Sequence, residues 1–170
     1  MMNTQTLQDS HELYRLTHEQ HPDYFAGYSI MEYVFDIGQL IKYSNITTAI
    51  DYGCGKARAW KNNNLKALWK LQDVQLYDPG VEEYAIKPYT PRDLVICTDV
   101  MEHVPEHLVD EVLADICRLA KKAVFLNIST RPASKLLVDG SNAHTTVKPA
   151  AWWQAKINKL DKLVIVRYTS

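Results

Sequence analysis

The chain predicts an α/β fold: a mainly parallel central sheet flanked by helices. Three observations predict it. Short apolar, β-branched runs stop at glycine or at an acid, as buried strands do. Segments with helical spacing of apolar residues separate those runs. One run, Thr47-Thr48-Ala49-Ile50-Asp51-Tyr52, passes directly into Gly53-Cys54-Gly55-Lys56-Ala57 and then into helical sequence. Strands that alternate with helices are joined by crossovers, and crossovers make a sheet parallel.

In chain order, Asp9 to Leu16 reads as a short helix with Asp9 and Glu12 at capping-box spacing. An aromatic loop, His21 to Tyr28, follows. Ser29 and Glu32 repeat the box spacing, and Ile30, Tyr33, Val34, Ile37, Leu40 and Ile41 then share one helical face. After the glycine turn, Arg58 to Lys70 reads as a helix weakened by Asn62-Asn63-Asn64. Val74 to Asp78 is a second strand, halted by Pro79-Gly80. The segment Val81 to Arg92 carries Pro88 and Pro91 and is too short for another helix and strand. Asp93 to Val100 is nearly all apolar, as a central parallel strand is. Glu106 to Lys122 is a helix by its apolar spacing, closed by Lys121 and Lys122. Ala123 to Ser129 is a further buried strand. A polar loop, Thr130 to Lys148, has a turn at Asp139-Gly140. Pro149 opens a helix to Leu160, with Trp152 and Trp153 in its first turn, and Leu163 to Tyr168 is the last strand.

A length of 170 residues fits one domain, read in three parts: helices over the site at 1–45, a ligand-binding core at 46–129, and a loop, helix and strand at 130–170. A net charge of -1 supplies no basic field for nucleic acid, and no apolar run reaches membrane-spanning length. The three cysteines, Cys54, Cys97 and Cys117, match no zinc spacing and read as free thiols, and Met1 to Ser10 lacks an apolar signal core. A cytoplasmic protein without a metal site is expected, with a small molecule as its partner.

A strand, a glycine-rich turn and a helix N-terminus form a site for a nucleotide-like ligand. Gly53 and Gly55 can take positive φ and leave room beside the backbone. Asp51, at the strand tip, suits a ligand that carries a cation rather than phosphates. The run Asp51-x-Gly53-x-Gly55-x-Ala57 resembles motif I, D/E-x-G-x-G-x-G, of the class I S-adenosylmethionine methyltransferases, with alanine in place of the third glycine. The run Asp93-Leu94-Val95-Ile96-Cys97-Thr98-Asp99-Val100-Met101-Glu102-His103-Val104 resembles a later segment of small, type 11-like members of that family.

The resemblance implies a Rossmann-like fold, S-adenosylmethionine as cofactor and methyl transfer to a small molecule or sugar. It implies cofactor contacts from Asp51, Gly53, Cys54 and Gly55, ribose binding by Asp78, and Asp99 at the methionine end. It also implies that the segment carrying Tyr24, Phe25 and Tyr28 lids the cofactor; the same aromatics otherwise simply anchor that segment. The short middle and C-terminal parts indicate that some class I elements are missing. His144, on the loop after a central strand, is the candidate base, with His103 as a second catalytic candidate. Glu102 and His103 otherwise only shape their loop. Arg131, Asn142, Trp152 and Trp153 are candidate acceptor contacts. Two rival classes are a non-catalytic S-adenosylmethionine-binding module and an NAD-binding oxidoreductase, the latter disfavoured by the acid before the loop.

Overall fold

The computed structural model describes residues 6–170. The polar stretch Met1 to Gln5, part of the N-terminal reading, lies outside the described residues. The elements run α1 (Leu7–Gln20), a 3₁₀ turn (Ser29–Tyr33), α2 (Val34–Tyr43), β1 (Thr48–Tyr52), α3 (Arg58–Asn63), α4 (Leu65–Leu68) and β2 (Asp73–Tyr77). A 3₁₀ turn (Glu82–Tyr84) leads to β3 (Arg92–Thr98). Two more 3₁₀ turns (Met101–His103 and Glu106–Leu108) precede α5 (Val109–Leu119), β4 (Ala120–Ser129), α6 (Ala150–Ile157) and β5 (Leu163–Thr169).

The sheet is ordered β2-β1-β3-β4-β5, and every neighbouring pair is parallel. The fold is therefore Rossmann-like. β1 lies between β2 and β3, one place off the middle. Alternation along the strands divides the core into two layers. Ile50, Val95, Cys97, Val124 and Leu126 face α5 and α6, where Val112, Leu113, Ile116 and Trp153 cover them. Ala49, Leu94, Ile96, Ala123 and Phe125 face the opposite layer, against Ile37 and Ile41 of α2 and Trp60 of α3. Burial on both faces explains why β3 and β4 read as continuous apolar runs.

Several expected boundaries move. α1 starts earlier, because Thr6 is the N-cap and Asp9 is its capping-box partner; the helix also continues to Gln20. Ser29 caps nothing: its hydroxyl lies 3.0 Å from the Thr98 hydroxyl, and a 3₁₀ turn replaces the first helical turn. The Arg58 to Lys70 helix breaks in two at Asn64, which takes φ +46, as the asparagine run suggested. Lys121 and Lys122 belong to β4 rather than to the end of α5. Lys122 Nζ donates to the Asn45 carbonyl at 2.6 Å and approaches Asp93 at 3.6 Å. Between β2 and β3 only the 3₁₀ turn Glu82–Tyr84 is formed. Beyond β4, the single antiparallel pairing outside the sheet is the Leu136–Asn142 bridge within the long loop, among the described residues.

Phe125 is fully buried and its ring lies 5.6 Å from that of Tyr33. Truncating it leaves a cavity in an interior strand buried on both faces. Phe125→Ala is expected to lower the unfolding free energy by about 3–5 kcal/mol in denaturant titration.

Candidate functional site

The last residue of every strand, Tyr52, Tyr77, Thr98, Ser129 and Thr169, lines one cavity of about 820 Å³. That is where a parallel sheet collects its ligands, and the size is within the roughly 300–1,000 Å³ of small-molecule pockets. α1 and the loop after it close over the cavity with Tyr14, His18, Phe25 and Tyr28.

The glycine turn is tied to the tip of β2. The Gly53 and Cys54 amides both donate to the Tyr77 carbonyl, at 2.7 and 3.0 Å. Asp78 accepts from the Gly55 amide at 2.8 Å through Oδ2 and from the Gly80 amide at 2.9 Å through Oδ1. A carboxylate has about four acceptor positions, so two remain for a ligand. Burial raises the Asp78 pKa, against the pull of these two amides and of Lys56.

Gly53 and Gly55 line the cavity and take φ +84 and +54. Their missing side chains make room for protein rather than for ligand. A Cβ on Gly53 would overlap Val100, and one on Gly55 would overlap the Phe25 carbonyl. Ala57 stands where the motif has its third glycine and adopts φ +50, a left-handed conformation that costs a non-glycine residue about 1–2 kcal/mol. The approaching backbone is that of Gly27, where any side chain would strike Ala57 and Cys54.

Two expected cofactor contacts lie off the cavity. Alternation along β1 turns Asp51 toward α3, where it is 3% exposed and accepts from Trp60 Nε1 at 2.6 Å. Desolvation raises its pKa to about 7, against the Trp60 hydrogen bond and with a contribution from Asp78. Cys54 is buried, with its thiol directed at the Gly55 carbonyl. Burial pushes the thiol pKa up. Asp99 does line the wall, with φ +53. It accepts from Asn127 Nδ2, and Tyr33 donates to Asn127 Oδ1 at 2.9 Å. Burial, and then Glu32, raise the Asp99 pKa to about 6. Phe25 and Tyr28 face the cavity, whereas Tyr24 stacks on His21 outside it.

The two candidate histidines are neighbours, with ring centroids 5.0 Å apart. His103 Nδ1 lies 2.7 Å from the Ala143 carbonyl, and His144 Nδ1 lies 2.6 Å from the Arg131 carbonyl. A carbonyl only accepts, so both rings carry their proton on Nδ1 and keep the lone pair on Nε2. Burial lowers the His103 pKa to about 4 and also lowers that of His144. Both are neutral near pH 7. Tyr14 donates to the same Ala143 carbonyl at 2.5 Å, linking α1 to this loop.

Other proposed acceptor contacts are structural. Asn142 exchanges hydrogen bonds with Ala133, at 3.0 and 2.9 Å, and so closes the loop on itself. Trp153 is fully buried under the sheet, and Trp152 packs between Lys148 and Lys156; neither lines the cavity. Glu102 is fully buried too, and its Oε1 accepts from the Ser129 amide at 2.8 Å.

No family model, curated protein or solved structure matches the chain. Among the described residues, no helix is long and apolar enough to cross a membrane, and no group of three His, Cys, Asp or Glu is placed to hold a metal ion.

Lys56, unremarked within the glycine motif, is central to the cover. Its Nζ donates to the carbonyls of Pro22 at 2.8 Å, Tyr24 at 3.0 Å and His21 at 3.2 Å, and reaches that of His18 at 3.4 Å. A lysine at the C-terminal end of a helix also meets the negative end of the helix dipole. Only its place beside Gly55 hinted at this. Tyr14 and Asn127 gave no local signal, because their partners are far away in sequence.

Glu102 makes the pH dependence of stability testable. Burial raises its carboxyl from 4.5 to about 8. The folded state then holds a proton that the unfolded chain releases near 4.5, so this contribution is complete below about pH 4.5. It diminishes as pH rises to about 8 and is level above that. The stability of the wild type relative to Glu102→Gln is expected to fall across that window in denaturant titrations at stepped pH.

Proposed function

We propose that the protein is an S-adenosylmethionine-dependent methyltransferase acting on a small molecule or sugar. One observation carries the reading. The cavity at the strand tips joins an acid-bearing wall, formed by Asp78, Asp99 and Glu32, to a pair of neutral histidines. The residues present fit such a cofactor, because Asp78 is held rigidly by two amides and retains acceptor capacity for two ribose hydroxyls. The Asp99 and Glu32 carboxylates suit a cationic ligand. Three unpaired thiols suit a reducing compartment such as the cytoplasm.

When bound, S-adenosylmethionine supplies a methyl group activated by a sulfonium. The chain supplies alignment and a proton acceptor. His144 Nε2 takes the proton from the acceptor hydroxyl or amine. His144 is the better base of the pair, since His103 is held at about 4. Tyr14, Phe25 and Tyr28 exclude water from above.

A non-catalytic S-adenosylmethionine-binding module is the second reading. It is favoured by the burial that lowers the pKa of both His103 and His144, which weakens each ring as a base.

Asp78→Ala is expected to weaken S-adenosylmethionine binding by roughly tenfold or more in calorimetry, the size of a lost charge-assisted hydrogen bond. Asp78→Asn, which keeps one acceptor oxygen, should lose less. Unchanged affinity in both would remove Asp78 from the site.

His144→Ala is expected to leave cofactor affinity intact and to lower turnover by roughly 10²–10⁴-fold. Its lowered pKa puts wild-type turnover on a plateau at neutral pH, falling only in acid. Cofactor binding with no transfer to any of a panel of hydroxyl and amine acceptors would favour the second reading.

A further inference from the structure

The cavity wall is divided by charge. Asp23, Glu32, Asp78 and Asp99 line it on the side of the cover and the first three strands. Arg131 and Lys135 line it on the loop that follows β4, with His144 on the same loop. The third cation on the wall, Lys87, is paired with Asp115 at 3.2 Å. Arg131 and Lys135 form no ion pair with any carboxylate among the described residues.

These two cations stand on a built loop. Asn142 bonds both ways to Ala133, Ala143 N donates to the Lys135 carbonyl at 3.1 Å, and Gly140 makes the turn at φ +82. The Arg131 carbonyl is the group that orients the His144 ring. The Lys135 ammonium is steered over the rings of Tyr24 and Phe25, 5.3 and 5.4 Å from their centroids. Both charges are felt by Asp99 across the cavity, but neither has a carboxylate at ion-pair distance among the described residues, so the base and two cations without a direct partner are presented together. A neutral acceptor would leave both without an ion-pair partner, Lys135 half-buried and Arg131 at the exposed rim. An anionic one would pair them, and a guanidinium offers a planar fork that matches carboxylate or phosphate oxygens.

We propose that the acceptor carries a carboxylate or phosphate, bound by Arg131 and Lys135 beside the nucleophile that faces His144. The anion site stands on the loop geometry; its description as an acceptor site rests on the methyltransferase reading.

The test is an NMR titration of the full chain with labelled histidine, using benzoate, phenyl phosphate and neutral benzamide as probes. At least one anion is expected to move the His103 and His144 signals and to bind roughly tenfold or more tighter than benzamide. The ratio of benzoate to phenyl phosphate then ranks the two anions. The double variant Arg131→Gln, Lys135→Gln should lose the preference while still binding S-adenosylhomocysteine in calorimetry. Arg131→Glu, a change at an exposed residue, should lose it as well. Benzamide binding as tightly as benzoate and phenyl phosphate, no response to either anion at millimolar concentration, or a preference that survives both variants would overturn the proposal. The two readings fail separately. An intact anion preference in a chain that does not bind S-adenosylhomocysteine would sink the methyltransferase reading, and with it the description as an acceptor site, but not the anion site itself. Cofactor binding without anion preference would sink only this one.

Discussion

Parallel pairing of all five strands is the constraint on which the molecule depends. A parallel neighbour is reached only by crossing over the sheet. Each crossover covers one face, so both faces become core, and every strand points its C-terminal end the same way. The cavity follows from that geometry. Tyr52, Tyr77, Thr98, Ser129 and Thr169 meet at one edge because no pair of strands is reversed. The opposite edge is left to structural work. There the Asp93 carboxylate accepts from the Thr47 amide at 2.9 Å and from its hydroxyl at 3.1 Å, fixing the entrance to β1 against β3.

Three carboxyl groups near the strand tips, two buried and one half-buried, show how the same chemistry is put to different uses. Asp51 is sealed behind Trp60, and Glu102 holds the Ser129 amide in place, so both support the strands from behind the cavity wall. Asp78 sits just past the end of β2, where alternation no longer turns it into a core layer, and its Oδ2 reaches the glycine turn while Oδ1 holds Gly80. What separates them is their position relative to the sheet edge. A carboxyl within the sheet or its core is pushed toward its neutral form, as the raised values of about 7 and 8 for Asp51 and Glu102 indicate.

The sheet was legible because periodicity reports burial, and burial on both faces writes itself into uninterrupted apolar runs such as Leu94 to Cys97. The helix ends were harder to read. Thr6 caps α1 through geometry that Asp9 and Glu12 mimic at the same spacing, and local sequence does not distinguish the two frames. Within the site, residues fixed by the local turn were readable: Gly53, Gly55 and Asp78 all line the cavity. Asp51 was misplaced because strand parity, not proximity to the turn, decides which way a side chain faces. The pairing of His103 with His144, and the contact from Tyr14 to Ala143, join segments far apart in sequence. No spacing rule reaches across such separations; only the crossover topology does.

Lys56 gives the cavity an unusual mechanical character. It follows Gly55, whose amide holds Asp78, and its own side chain holds the end of α1 and the loop beyond it. Floor and cover are therefore hinged on two adjacent residues. A displacement of that dipeptide is felt by the Asp78 carboxylate and by the cover at once. A molecule held there would meet a floor and a cover anchored through the same dipeptide, so loosening one would loosen the other.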